Sequence, residues 1–273
     1  MSILHLLIIA LVQGITEFLP ISSSGHLILI PRMTDWPDQG LLLDVSVHVG
    51  TLGAVLIYFW RDTKGLFLAG LGALGLKAAR QRIAGGHYPH LLWLLILATI
   101  PVILGGLVFV ALGISDALRR ADVIGAASIV FGLALYWVDQ RWPAEKDLTS
   151  LTWRAAVMIG LAQILALVPG TSRAGITMTV ARGLGFKRTE AARFSMLLAI
   201  PTILAAGTLA AYELVTSGPD GAIGDAIFAA ALSFLAAIGA IHFLMRWLER
   251  ASMTIFVVYR VLLGAGLLIW VYA

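Results

Sequence analysis

The sequence predicts an all-α polytopic membrane protein built as an inverted-topology repeat, with two re-entrant helix hairpins and about six transmembrane helices. Three observations carry this. The chain is 60% hydrophobic and 12% charged, with mean hydropathy +0.94, whereas soluble domains carry about 25% charged residues. Six stretches, about 39–60, 90–113, 119–141, 190–213, 222–246 and 253–272, are apolar over the roughly 20 residues a bilayer-crossing helix needs. Two more apolar stretches, 2–32 and 153–185, are interrupted part-way by polar residues.

The interruptions define the first and fifth elements. Residues 2–32 break at Pro20 and the Ser22-Ser23-Ser24 run, and residues 153–185 break at Pro169-Gly170. Proline removes a helical donor and clashes with the preceding turn, while Ser and Thr cap a restarting helix. Each stretch therefore reads as two half-helices that dip into the membrane and return to the same side. The first 20 residues lack a basic leader region and a small-residue cleavage pattern, so they read as a retained membrane segment. Three spans follow each hairpin, and the segment 64–82 between the first two spans reads as an interfacial helix with basic residues among Leu and Gly.

Hairpin plus three spans thus occurs twice within one membrane domain of residues 1–273, the repeats covering about 1–141 and about 153–273. Weak internal similarity supports the division. Thr99-Ile100-Pro101-Val102-Ile103-Leu104-Gly105 resembles Ala199-Ile200-Pro201-Thr202-Ile203-Leu204-Ala205, and Gln13 precedes the first break as Gln163 precedes the second. Three is odd, so the second repeat enters from the opposite side, and the two broken elements meet near the midplane. Loop charges agree. Segments 61–90, 141–154, 182–193 and 246–250 hold fourteen Lys and Arg. The other loops hold only Arg32, Arg119 and Arg120, beside Asp35, Asp38, Asp116, Asp122, Glu213, Asp220 and Asp225. The positive-inside rule then places both termini outside the cytoplasm. The net charge of +4 belongs to these flanks and to lipid contact, not to nucleic acid. There is no cysteine, which excludes disulfides, thiol catalysis and Cys-based metal sites.

Ionisable groups inside membrane segments point to function. Gln13 and Glu17 are four residues apart and share a helix face. Glu17 reads as a general acid/base, a ligand for a divalent cation, or a buried neutral carboxyl. Ser22, Ser23 and Ser24 exceed what capping needs, and Gly25 and His26 follow. His26 is either a core histidine bonded to a carbonyl or a base or nucleophile for phosphoryl transfer. The N-terminus of a restarting half-helix points free N–H groups at the break, a ready anion site. In the second break, Pro169-Gly170-Thr171-Ser172-Arg173 brings an arginine, which either pairs with Glu17 or Asp44 or holds a phosphate by its planar fork. Asp44 and His48 share a face of the next segment and are candidates to line the same cavity. Arg260 is another candidate, with snorkelling or an ion pair as the alternative. There is no Walker sequence, no dinucleotide fingerprint and no zincin spacing.

These residues also carry a resemblance. Gln13-Gly-Ile-Thr-Glu17-Phe-Leu-Pro-Ile-Ser22-Ser23-Ser24-Gly25-His26 and Pro169-Gly170-Thr171-Ser172-Arg173-Ala174-Gly175 resemble the two signatures of the bacterial undecaprenyl-pyrophosphate phosphatase family, and Phe59-Trp60-Arg61 and Tyr259-Arg260 extend the likeness. The resemblance implies a membrane hydrolase that removes the terminal phosphate of a C55 prenyl pyrophosphate. It thereby recycles the lipid carrier of peptidoglycan synthesis and confers bacitracin resistance. It implies an inner-membrane enzyme with an active site opening to the periplasm and a divalent cation, Mg²⁺ or Ca²⁺, with Glu17 as metal ligand. The implied catalytic residues are Glu17, Ser23, His26 and Arg173; the implied substrate-binding residues are Gln13, Ser22, Ser24, Gly25, Thr171, Ser172 and Thr177. The expected partners are a polyprenyl pyrophosphate and membrane lipid, with a homodimer allowed and no nucleic acid. Ser23, His26 and an activated water all remain open as the attacking group. Two departures stand out: Gln13 where many members have Glu, and Ala174 where Ser is usual. The rival reading is a transporter or flippase for a lipid phosphate, because broken helices in inverted repeats also mark transporters.

Overall fold

Apolar stretches of the predicted lengths become helices because, away from water, only internal hydrogen bonding satisfies the backbone. The computed structural model describes residues 1–273 except 35, 115, 143 and 218–222, and the side chains at 116, 211, 213–215 and 217. Four loop acids counted above, Asp35, Asp116, Glu213 and Asp220, lie outside the described residues or have side chains outside them. Twelve α-helices are described: α1 (Ile3–Thr16), α2 (Ser23–Thr34), α3 (Gly40–Tyr58), α4 (Trp60–Ala73), α5 (Lys77–Arg82), α6 (Tyr88–Ala111), α7 (Ala121–Arg141), α8 (Trp153–Gln163), α9 (Arg173–Gly183), α10 (Arg188–Ser217), α11 (Ile223–Leu248) and α12 (Thr254–Tyr272). Six of them, α3, α6, α7, α10, α11 and α12, are long and apolar enough to cross a membrane.

Helices α1, α2, α8 and α9 have 14, 12, 11 and 11 residues, at most about 21 Å of helix each. Each is shorter than a span, as a hairpin that turns inside the bilayer requires. Where 64–82 reads as one interfacial helix, the structure has two, α4 and α5. Gly75, with φ 98°, turns the chain between them, a conformation that side chains with a Cβ rarely adopt.

Polar contacts sort the helix ends into two faces. On one, the Met1 ammonium lies 3.5 Å from Asp225, Arg119 3.6 Å from Asp38, and Arg32 donates to the Arg119 carbonyl. On the other, Arg182 and Arg188 converge on Asp139, Lys187 pairs with Asp147, and Arg193 pairs with Asp62. Hairpin α1–α2 opens on the first face and α8–α9 on the second, so the two hairpins enter from opposite sides. The packing is reciprocal: α1 lies against α11 and α8 against α6, while α7 pairs with α12 and α3 with α10. Small residues permit these approaches. A Cβ on Gly14 would meet Ser233 O and Ala236 Cβ at 2.6 Å, and one on Gly160 would meet Ala98 O at 2.5 Å.

Asp139 pins the second face. It is 2% exposed and accepts from Arg182 Nε at 2.9 Å, Arg188 Nε at 2.8 Å and the Met253 amide at 3.1 Å. One carboxylate thus ties the ends of α7 and α9 to the starts of α10 and α12. Removing one partner from such a buried pair costs about 3–5 kcal/mol. Of the arginines assigned to this face from the sequence, Arg182 is in fact buried, because Asp139 gives it a partner away from water.

Candidate active site

Each hairpin turns on a serine in the same unusual conformation. Ser22 has φ 73° and Ser172 φ 69°, and no other described non-glycine residue has positive φ. Such backbone costs about 1–3 kcal/mol and persists only where the surroundings enforce it. Here the enforcement is visible. Ser172 is the N-cap of α9, its hydroxyl accepting from the Gly175 amide at 3.0 Å. Ser22 repeats this with Gly25 at 3.4 Å and also accepts from the Gly170 amide at 3.1 Å, joining the two turns directly. Gly170 itself has φ 93°, and a Cβ there would collide with the Ile124 carbonyl. Both half-helices therefore restart with their N-termini at one place, the arrangement that suits an anion.

Glu17 is the hub of the charged cluster and is 8% exposed. Its Oε2 accepts from Ser23 Oγ at 2.6 Å and Gln13 Nε2 at 3.0 Å, and its Oε1 accepts from Arg173 Nη2 at 3.1 Å. His48 Nε2 stands 3.9 Å from Oε2. Arg173 also donates through Nη1 to the Ser195 carbonyl at 3.0 Å, and its guanidinium lies over the Phe18 ring at 5.9 Å. A guanidinium has five N–H donors, so these two bonds leave donors for a ligand.

A cavity of about 740 Å³ opens beside this cluster. Glu17, Ser22, Ser23, Ser24, Ser172 and Arg173 form its polar end, with Asp44 and His48 from α3 and Thr202 from α10. Its remaining walls are apolar, including Leu41, Val45 and Val49 of α3 and Ile203, Leu204 and Ala206 of α10. Leu41, Val49 and Leu204 are exposed, so the apolar wall between these two helices is open and not sealed. A polar head with a long apolar tail matches this shape.

Several residues singled out from sequence lie elsewhere. Gln13 is fully buried behind Glu17 and orients it without lining the cavity. Gly25, Thr171 and Thr177 are also off the cavity wall; Thr177 bonds Ser195 Oγ at 2.7 Å, bracing the residue whose carbonyl holds Arg173. His26 points away from the cavity: Nδ1 lies 2.6 Å from the Ser22 carbonyl and Nε2 2.6 Å from Tyr259 Oη. The ring is half-buried and meets a backbone carbonyl, while lying off the cavity wall. Arg260 is fully buried and off the cavity wall. It does not snorkel and forms no ion pair among the described residues; backbone carbonyls at both turns take its Nη donors. Ser195, Thr202 and Gln39, which donates to Asp44 at 2.8 Å, carry no sequence mark as site residues. Only Thr202 had a signal, since it follows Pro201 in the repeated mid-span motif.

Among the described residues, no three His, Asp or Glu side chains converge as a cation site. Both Glu17 oxygens already accept from protein donors. One carboxylate with Asp44 nearby on the wall fits a cation that arrives largely ligated by phosphate oxygens, the usual habit of Mg²⁺.

Comparison with known proteins fixes the family. Residues 6–266 match the family described as "Bacitracin resistance protein BacA". The chain belongs to the BacA family. An undecaprenyl-diphosphatase of Jannaschia sp. (strain CCS1) is 51% identical over 273 residues, covering all of both chains. One of Ruegeria pomeroyi is 47% identical over 272 residues, covering 98% of each. One of Erythrobacter litoralis is 44% identical over 286 residues, covering 98% of this chain and 99% of that one. The two polar turns, with their strained serines, lie inside the BacA match.

Proposed function

We infer that this BacA protein is an undecaprenyl-diphosphatase, hydrolysing undecaprenyl pyrophosphate to undecaprenyl phosphate and inorganic phosphate. The observation that carries the mechanism is the contact of Ser23 Oγ with Glu17 Oε2 at 2.6 Å, beside Arg173 at the polar end of the cavity. A hydroxyl against a carboxylate that a third group orients is the arrangement of an activated nucleophile. Arg173 and the amides at the starts of α2 and α9 hold the pyrophosphate. Ser23 Oγ attacks the terminal phosphorus as its proton passes to Glu17. The bridging P–O bond breaks, prenyl phosphate leaves, and a phosphoserine remains. Glu17 gives that proton to the departing prenyl phosphate; water then attacks the phosphorus as Glu17 takes its proton, and Glu17 returns this proton to Ser23 Oγ as inorganic phosphate departs. Charge stabilisation by preorganised donors dominates such transfers. A Mg²⁺ or Ca²⁺ ion held by Glu17 with the phosphate oxygens would neutralise developing charge there.

The prenyl chain lies along the apolar wall between α3 and α10 and extends into lipid. The polar end is reached from the outer halves of these helices, on the face carrying Met1 and Asp225. By the charge bias of the loops this face is periplasmic, in the bacterial inner membrane, and both termini lie on it. Hydrolysis there recycles the carrier lipid for peptidoglycan synthesis and sustains growth in bacitracin. Turnover with a C55 prenyl pyrophosphate, quenched in parallel in acid and in alkali and followed by peptide mass analysis, tests this route. Phosphate on Ser23 is expected; phosphohistidine at His26, or ¹⁸O from water entering the phosphate with no covalent species, would overturn it.

A further inference from the structure

Helix α12 carries two adjacent polar residues, Tyr259 and Arg260, in a span that is otherwise apolar. Arg260 is 0% exposed, and among the described residues no carboxylate pairs with it. Its Nη donors end on main-chain carbonyls: Nη2 on Gly170 O at 3.0 Å and Thr171 O at 2.8 Å, and Nη1 on Pro20 O at 3.4 Å, while Nε is buried without a partner among the described residues. Tyr259 reaches the same region through His26. The ring's Nδ1 faces the Ser22 carbonyl at 2.6 Å, so Nδ1 carries the proton and Nε2 accepts from Tyr259 Oη at 2.6 Å. Consecutive residues of one helix thus grip the backbone of both turns, Pro20 and Ser22 in the first and Gly170 and Thr171 in the second. Those carbonyls flank or include Ser22 and Ser172, the two strained residues at which the anion-facing half-helices restart.

We propose that Arg260 is a positioning residue that locks the two hairpin turns into a single phosphate-binding cradle, with Tyr259 and His26 as a second, weaker arm. Three carbonyls from two separate chain segments converge on one guanidinium, and its planar fork satisfies them together. A lysine ammonium has no such fork. Without the clasp, Gly170 and Thr171 lose a partner and nothing on α12 holds Pro20. The left-handed serines then relax, carrying Ser23 and Arg173 away from a shared phosphate. Among the described residues, the cation also stands behind the turns without an anion to neutralise it. Its field therefore favours phosphate in the cradle although it touches none. His26 acts in this scheme through the Ser22 carbonyl.

The test is steady-state phosphate release by full-length protein in detergent, comparing wild type, Arg260→Lys and Tyr259→Phe. Displacing a reacting group by about 1 Å costs about 100-fold. Arg260→Lys is therefore expected to lower kcat about 100-fold with KM within about threefold, and added guanidinium to restore part of the activity of Arg260→Ala. Tyr259→Phe, which removes one hydrogen bond, is expected to lower kcat about fivefold at unchanged KM. Wild-type kcat in Arg260→Lys, or a loss confined to KM, overturns the clasp. If Arg260→Lys does not give a monodisperse protein, Tyr259→Phe decides: a kcat loss at constant KM supports the brace, and wild-type kinetics overturn it. Activity of the wild type in the same assay separates these outcomes from a failure of the phosphatase reading.

Discussion

Arg173→Ala lowers kcat for phosphate release about 1,000-fold or more, because it removes the guanidinium on the cavity wall that faces the phosphate. Arginines that stabilise phosphoryl-transfer transition states supply about 10³–10⁵ in rate. Here the change has a second effect. Arg173 bonds both Glu17 Oε1 and the Ser195 carbonyl, so alanine leaves a buried carboxylate without its cation. Glu17 also loses the bond that orients Oε1, and so serves Ser23 less well. Arg173→Lys keeps the charge but not the fork, and should fall between wild type and alanine. Measuring kcat and KM for the three proteins checks the order; equal kcat in wild type and Arg173→Ala contradicts the assignment.

Glu17→Gln gives the second large loss, about 10²–10⁴ in kcat, the usual contribution of a positioned general base. Glutamine preserves the size of the side chain and can still meet Gln13 and Ser23, but it cannot take the serine proton. Ser23→Ala removes the group that Glu17 serves. Residues that act as one unit are strongly non-additive. The double variant Glu17→Gln with Ser23→Ala should therefore be no slower than Ser23→Ala alone. Independent, multiplying losses would show that Glu17 and Ser23 serve different steps. Titrating Mg²⁺ or Ca²⁺ against each variant separates a base from a metal ligand: loss of base function persists at saturating metal.

Much of this architecture was legible in the residues because the bilayer makes strong demands. Each of the six apolar stretches predicted to span overlaps a helix of spanning length. Pro20 and Pro169-Gly170 marked the two turns because a broken helix in membrane leaves backbone groups that need partners. Glu17, Ser23 and Arg173 stood out because charge and hydroxyls are rare there, and the structure brings Ser23 and Arg173 each within 3.1 Å of Glu17. Direction of side chains was not legible. Sequence spacing puts His26 one turn from Ser22, yet cannot say that its ring turns toward Tyr259, more than 200 residues away. Arg260 was equally ambiguous, since its acceptors are carbonyls, which every residue has. The interfacial segment split at Gly75 because a lone glycine among basic and apolar residues gives little warning of a left-handed turn. Asp139 sits near the end of a span among polar neighbours, and only the approach of α9 and α10 makes it a buried hub.

Catalysis at the polar end of the cavity is the central claim. Its most direct test is inorganic phosphate release from a C55 prenyl pyrophosphate by purified protein in detergent, with and without Mg²⁺ or Ca²⁺. One phosphate per lipid and a prenyl monophosphate product are expected, in the absence of any membrane to cross. Well-folded protein that releases no phosphate with either metal would contradict it. Reconstituted lipid movement would then be the property to measure, as the transporter reading requires.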